Sequence, residues 1–430
     1  MPFTFVDLFA GIGGFHAALQ GVGGRCVFVS EIDKKAMDVY LRSWGEDSKG
    51  VPPFIVTGDI KLSLNKKDTM VPKHDVLTAG FPCQSFSKSG HQKGINEARG
   101  TLFWSIAKVL EHRAPKLVLL ENVRNLYGPR HREDYLTMIG ILRNLGYAVS
   151  EEPTILSPHQ LPKRLGGSPQ HRERLFIAAC QVGSAKRAHD LADIPPLLSK
   201  ADVRALSPGN WNIDQILRKI TEAQIPNEAK LTEDEAYALD AWDEFVHVIR
   251  SSRDGYLPSF PIWTEYFRER GSIRIPSSTP DWKRQFIESN SAFYERNKSS
   301  IRQWERKYPL EHLTNSKRKF EWQAGDATSL DDTILQFRPS GLRAKKRNYA
   351  PALVAITQTT ILGRERRRLV VEEAARLQGF GRSLDFGVQE STHSFRQLGN
   401  AVHVGVAQYI FNLLQDRGEE LGVWNSQQKG

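Results

Sequence analysis

Cys83 stands directly after Pro82 in TAGFPCQSFSKSG (Thr78–Gly90), where a short apolar run gives way to a glycine, a proline and a polar loop. A thiol at the carboxyl end of a strand, followed by a loop able to close over it, has the placement of a nucleophile. The same cysteine also fits a small buried hydrophobe. A second set of residues points to a ligand. Gly11, Gly13 and Gly14 follow an apolar run that starts at Phe3 and let the backbone approach a bound group closely. Glu31 ends the next apolar run, twenty residues past Gly11, where an acid can accept both hydroxyls of a ribose. Asp59 ends a third run and can accept from an adenine amino group. Glycines and two acids together describe a nucleoside site. The pattern is neither the G-x-G-x-x-G of a dinucleotide site nor a loop with the Walker lysine, so S-adenosylmethionine fits better than NAD or ATP.

These residues need a scaffold that brings them to one edge. FTFVDLFAG, RCVFVSEID, FIVTGDI, HDVLTAG and KLVLLENV read as strands, and GYAVSEEPTIL and ERLFIAACQV supply two more. Between them GFHAALQGVG, KKAMDVYLRSW, TLFWSIAKVLEHR (stopped by Pro115) and EDYLTMIGILRNLG read as helices. Near-continuous apolar strands alternating with helices predict a parallel-rich sheet covered on both faces, with ligands at the carboxyl ends of the strands. Phe9–Gly14, Glu31, Asp59, Cys83 and Glu121 all fall at that edge.

Composition sets the outer limits. The 430 residues suffice for a catalytic core and a second domain, and 59 Lys and Arg against 49 Asp and Glu give a net charge of +10, which favours a polyanionic partner. Cys26, Cys83 and Cys180 are too few and too scattered for a disulfide framework, and no His/Cys cluster has metal-ligand spacing, so no metal is expected. No apolar run approaches membrane-spanning length and the N-terminus opens directly on a strand pattern, so the expected setting is cytoplasmic.

The blocks DLFAGIGGFH, EIDKKA, GDI, GFPCQSFSKSG, RGTLFW, LLENV, PQHRERLFIAA, RRLVVEEAARLQGF and QLGNAVHVGVA occur in this order. Together they resemble the ordered motifs of the DNA (cytosine-5) methyltransferases of prokaryotic restriction–modification systems, over residues 1–180 and about 335–412. The resemblance implies an α/β fold: the Rossmann-like, S-adenosylmethionine-dependent methyltransferase sheet, mixed and seven-stranded, with a smaller inserted target-recognition domain. The corresponding segments are a catalytic core at 1–182, a recognition domain at 183–393 and a return to the core at 394–430.

The same resemblance assigns roles. Cys83 matches the nucleophile that adds to cytosine C6, and Gln84, Ser87 and Ser89 belong to the loop that closes on DNA. Glu121 matches the acid at N3 and the exocyclic amine, Arg174 the contact to O2, and Arg172 its support. Arg172 and Arg174 lie two apart and face one side of an extended segment; a basic strand edge is the plainer reading of Arg172. Phe9 matches the aromatic against the adenine, although an aromatic in such a strand is more often core. Gly11, Gly13, Glu31, Ile32, Asp59, Ile60, Gly80, Pro82 and Leu102 match the rest of the cofactor pocket, with Asn400 and Val402 closing its methionine end. Ser85, and GFGRSLDF in place of a Gly-Phe-Pro turn, depart from the usual pattern without touching the chemistry.

The segment 201–330 holds six of the nine tryptophans, and Arg296–Phe320 carries eight Lys or Arg against two acids, interleaved with Trp304, Tyr308 and His312. Such a mixture suits phosphate contact and base stacking. It equally describes an amphipathic helix with a solvated basic face and a core Trp304. Arg343, Lys345, Lys346 and Arg347, in a stretch resembling a recurrent piece of recognition domains, are expected to face DNA. The implied partner is double-stranded DNA, bound by a monomer, in a setting compatible with a cognate restriction endonuclease encoded nearby. Competing readings are a tRNA cytosine-5 methyltransferase, a catalytically silent DNA-binding homologue and an NAD-dependent oxidoreductase. The long basic insert and the absence of a Cys-Phe-Thr triplet weigh against the first, and the intact Cys83, Glu121 and Arg174 against the second.

Overall fold

The computed structural model describes residues 2–45, 52–64, 69–82, 102–252, 255–355 and 360–425. The chain forms two compact units: residues 1–211, 351–357 and 374–430 in the first, and 212–350 and 358–373 in the second. The first unit extends past residue 182 and regains the chain before 394, because packing, not composition, draws its edge: Ala188 closes a small apolar cluster with Ala148 and Val182.

The first unit is built on one sheet. Its strands are Phe3–Leu8 (β1), Gly24–Ser30 (β2), Ile55–Thr57 (β3), Val76–Gly80 (β4), Leu117–Val123 (β5), Tyr147–Val149 (β6), Thr154–Leu156 (β7) and Arg174–Gln181 (β8). The order is β3-β2-β1-β4-β5-β8-β6, with β7 also beside β8. Strands β3 to β5 run parallel, and β8 is antiparallel to β5, β6 and β7. β6 pairs with the end of β8 at Ala179–Gln181 and β7 with its start at Arg174–Phe176, so the two share one edge position. Seven positions are thus filled by eight strands. The stretch GYAVSEEPTIL breaks at Glu151–Pro153, where proline has no N–H for a ladder.

Helices Gly14–Gln20 (α1), Lys34–Trp44 (α2), Leu102–Arg113 (α3) and Arg132–Asn144 (α4) fill the crossovers. Strands covered on both faces need apolar residues at consecutive positions, and Leu117–Leu120 are all fully buried. From β1 the chain steps outward through β2 to β3, then returns to pair β4 on the other side of β1. That reversal opens a crevice at the carboxyl ends of β1 and β4, where doubly wound sheets bind ligands.

The second unit contains helices Glu233–Arg250 (α5), Asp281–Arg296 (α6) and Lys298–Lys307 (α7). They accompany a six-stranded sheet of short strands that includes Lys319–Gln323, Thr333–Arg338 and Gly341–Lys346. Thr232 and Glu235 close a reciprocal capping box on α5. Trp304 is 1 % exposed, packs on Trp242 and Phe245 and donates to the Ala241 carbonyl at 2.6 Å. Trp304 therefore belongs to the core, with Tyr308 partly buried against it and His312 exposed, and over Lys298–Lys307 the stretch is the helix with a core Trp304. Helices Ser391–Asn400 (α8) and Val404–Glu420 (α9) belong to the first unit.

Candidate active site

At the carboxyl end of β1 the backbone turns through three left-handed residues: Phe9 (φ +54°), Gly11 (φ +56°) and Gly13 (φ +88°). Glu31, just past β2, holds this loop. Its Oε2 accepts the Gly11 N–H at 2.8 Å and its Oε1 the Asp33 N–H at 2.8 Å. Asp59 caps the short turn after β3, accepting the Lys61 N–H at 3.0 Å. These contacts hold both carboxylates at the mouth of a cavity of about 560 Å³.

The cavity is lined by Phe9, Gly11, Glu31, Ile32, Asp59, Ile60, Gly80, Pro82, Leu102 and Asn400, and also by Glu121, Arg172 and Arg174. Ile60 is 1 % exposed, whereas Ile32 is 72 % exposed, a bare apolar side chain beside a pocket. Two expected residues stand behind the wall. A Cβ on Gly13 would meet the Trp44 indole nitrogen at 2.2 Å, and that nitrogen donates to the Ile12 carbonyl at 3.0 Å. Gly13 is thus demanded by packing and by its φ, not by an open approach to the cavity. Val402 packs on the loop from behind: a Cβ on Gly80 would lie 3.2 Å from its Cγ2, and one on Gly14 would meet the Val402 carbonyl oxygen at 2.4 Å.

At the other end of the cavity β5 delivers Glu121 opposite Gly80 of β4, and β8 delivers Arg174 opposite Val123. Glu121 is 7 % exposed, and its Oε1 lies 3.0 Å from Arg174 Nε. Burial pushes its carboxyl above the usual range, while the Arg174 and Arg172 guanidiniums pull the other way. The net direction is upward, so the carboxyl holds its proton more readily than an ordinary glutamate does. Asn122 braces the neighbouring strand end: its Nδ2 donates to the Phe81 carbonyl at 2.8 Å and its Oδ1 accepts from the Val123 N–H at 2.8 Å. This fixes the chain just before Pro82. Cys83, Gln84, Ser87 and Ser89 lie outside the described residues.

Arg172 does something different from Arg174. It is 2 % exposed and its guanidinium donates to the carbonyls of Leu353 (3.0 Å), Gly399 (2.8 Å) and Ala401 (2.9 Å). Burial pulls its pKa down to about 9. It caps the end of α8 and joins three separated segments, so a solvated strand edge is not what this arginine provides.

In the second unit, Gly341–Lys346 pairs so that Glu321 and Gln336 flank Arg343. Leu342 and Ala344 point into the core, and Arg343 and Lys345 lie on the opposite face. Arg343 Nε is 2.9 Å from Glu321 Oε2. Lys346 is exposed. Arg347 departs from the expectation that it faces DNA. It is 9 % exposed and its guanidinium is taken up by Asp214 (2.6 Å) and Glu365 (2.7 Å), so its charge is spent within the unit.

Sequence reasoning passed over Ser30, Lys61, Asn122, Arg396 and Gln397, all of which line the cavity. Asn122 had a signal in its place beside Glu121, and Arg396 in its spacing of one helical turn before Asn400. Among the described residues no three His, Cys, Asp or Glu side chains are grouped to hold a metal ion, and no helix is long and apolar enough to cross a membrane.

A parallel-rich sheet with one antiparallel insertion, a glycine turn at its first strand and acids at the ends of the next two strands defines the Rossmann-like fold of S-adenosylmethionine-dependent methyltransferases. Residues 3–416 match the family of C-5 cytosine-specific DNA methylases, and the chain belongs to that family and is a DNA (cytosine-5) methyltransferase. It is 39 % identical to the Type II methyltransferase M.AluI of Cellulosimicrobium cellulans, over 95 % of this chain and 91 % of that one. It is 37 % identical to M.HpaII of Haemophilus parainfluenzae over 47 % of this chain and 53 % of that one. In fold it is similar to a prophage-encoded E. coli chain described as a DNA modification methyltransferase, with a TM-score of 0.52 at 19 % identity, covering 96 % of this chain and 99 % of that one.

Proposed function

We propose that this protein transfers a methyl group from S-adenosylmethionine to C5 of a cytosine flipped out of a specific duplex DNA sequence, through covalent addition of Cys83 at C6. The observation that carries this is the pairing of the buried Glu121 with the half-buried Arg174 on the same cavity as Glu31 and Asp59. A base-binding end and a nucleoside-binding end thus share one space. The residues present fit the cofactor: Glu31 for the ribose hydroxyls, Asp59 for the adenine amine, and Ile32, Ile60 and Phe9 for the faces of the ring. The cofactor supplies a methyl group carried on a positively charged sulfur.

Cytosine C5 is a poor nucleophile until a thiolate adds at C6 and pushes electron density onto it. A thiol near its ordinary pKa of about 8.5 is only a small fraction thiolate at neutral pH, so assistance at the base matters. Glu121 gives its proton to N3 or shares it there as the Cys83 sulfur bonds to C6, and Arg174 holds O2. C5 would then take the methyl carried on the cofactor's sulfur, which would leave as a neutral thioether. Loss of the C5 proton to a base or water, with return of the N3 proton to Glu121, expels the thiolate and restores the ring. Flipping the base costs a few kcal/mol, offset by contacts in the pocket.

The second unit is the part we assign to sequence choice, through Arg343, Lys345 and Lys346 on or beside its sheet. Relatives of the chain are named as Type II methyltransferases, and we assign this protein a protective role, alongside a cognate nuclease, as a monomer in the cytoplasm. A duplex carrying 5-fluorocytosine at a site first located by bisulfite sequencing tests the mechanism. The wild type is expected to form a denaturant-stable adduct with S-adenosylmethionine present, and Cys83→Ala none. Methylation of the site by wild type without any adduct would overturn the covalent route.

A further inference from the structure

One cation on the cavity wall has no part in the chemistry above. Arg396 projects from α8, is exposed, lines the cavity, and has no acidic or carbonyl partner among the described residues. The other cavity-lining cations are committed: Arg174 to Glu121, and Arg172 to three backbone carbonyls. Lys61 follows Asp59 and Ile60 and so belongs to the end that holds the adenine.

The frame that carries Arg396 is fixed. Phe395 and Leu398 on either side of it are buried, and the side chain of Gln378 donates to the Leu398 carbonyl. The amide of Gln389 donates to Gln397 Oε1 at 2.7 Å, and Arg172 holds the carbonyls of Gly399 and Ala401. One helical turn separates Arg396 from Asn400, so both present themselves on one face, and both line the cavity.

We propose that Arg396 binds the α-carboxylate of the cofactor's methionine tail, an inference that rests on the S-adenosylmethionine reading. With the ribose at Glu31 and the adenine at Asp59, a tail continuing along the cavity would meet the wall that carries Arg396 and Asn400. A carboxylate brought into a half-enclosed space needs a cation or several donors. A guanidinium on an anchored helix meets it with a planar fork of N–H groups, at a small loss of freedom. The zwitterionic tail is therefore read by a charge that has no other partner among the described residues.

The test compares two ligands that differ only beyond the adenosyl sulfur. S-adenosylhomocysteine carries the amino acid carboxylate and 5′-methylthioadenosine does not. By titration calorimetry on the full chain, Arg396→Gln is expected to bind S-adenosylhomocysteine about tenfold or more weakly, the loss of a charge-assisted hydrogen bond, while its affinity for 5′-methylthioadenosine stays within about twofold of wild type. Arg396→Lys should recover part of the loss. Equal weakening for both ligands would make the residue structural. Unchanged binding of both, with duplex DNA held more weakly and with a shallower salt dependence, would assign Arg396 to a phosphate instead; either result overturns the proposal. A wild type that binds neither ligand would remove the cofactor reading itself.

Discussion

Replacing Glu121 by glutamine keeps the shape of the side chain and removes its exchangeable carboxyl proton. In the protein Glu121 Oε1 lies 3.0 Å from Arg174 Nε, at 7 % exposure, with its pKa raised by burial against the pull of the two arginines. Two consequences follow. General acid assistance contributes typically ~10²–10⁴ in rate, so single-turnover methylation should slow by at least about a hundredfold, roughly 3 kcal/mol of barrier. Stability should move the other way or not at all. A carboxyl whose folded pKa lies above its unfolded value favours the native state at low pH and loses that contribution as pH rises through the folded pKa, so at pH 7 the neutral amide removes a liability. Arg174, with its side chain still 19 % exposed, keeps access to water. The melting temperature of Glu121→Gln at pH 7 should therefore stay within about 3 °C of wild type or exceed it. Rapid-quench methylation at saturating DNA and cofactor, with calorimetry for cofactor affinity, makes the measurement. Near-normal methylation with lost cofactor binding would refute the reasoning and move Glu121 into the nucleoside end of the pocket.

Arg172→Met should destabilise the first unit by roughly 2–4 kcal/mol, because three buried carbonyls lose their donor while a desolvated guanidinium disappears; urea unfolding would check this. Cofactor affinity should fall with it, since Gly399 and Ala401 frame Asn400, and an unchanged affinity would mean that α8 keeps its place without the arginine. Asp7, fully buried beneath the glycine turn and accepting from Thr78 Oγ1 at 3.0 Å, has its pKa pushed up to about 8 by burial. The native state thus holds a proton that the unfolded chain gives up near ~3.9. Unfolding free energy should decline from about pH 4 through pH 8, and Asp7→Asn should flatten that decline in denaturant titrations at pH 6 and pH 9.

Much of the site was legible because its residues sit where a change of periodicity meets special chemistry. Phe9, Gly11, Glu31 and Asp59 each follow an apolar run that only a buried strand explains, and all four line the cavity. Pro82, Glu121 and Arg174 were placed by motif, and the sheet brings them to the same space. Arg347 misled because a run of basic residues does not say which of them has acids across from it; Asp214 lies over a hundred positions away in the chain and Glu365 in a different strand connection. The basic stretch around Trp304 left two readings open, because local composition cannot tell a tryptophan that stacks on a base from one that fills a core; at 1 % exposure Trp304 belongs to the core.

By itself, the sequence determined the alternating α/β sheet and the edge at which Phe9, Gly11, Glu31, Asp59 and Glu121 gather. These follow from local periodicity and from residue types whose chemistry is intrinsic. The tertiary structure alone decided which identical groups do different work. Arg172 and Arg174 are two residues apart, yet one holds three backbone carbonyls, two of them at the end of a helix, and the other pairs with the buried acid. Gly11 opens on the cavity, and Gly13 is claimed by the Trp44 indole. A side chain's role depends on its burial and on its partners, and those partners come from strands and helices that meet only when the chain has folded.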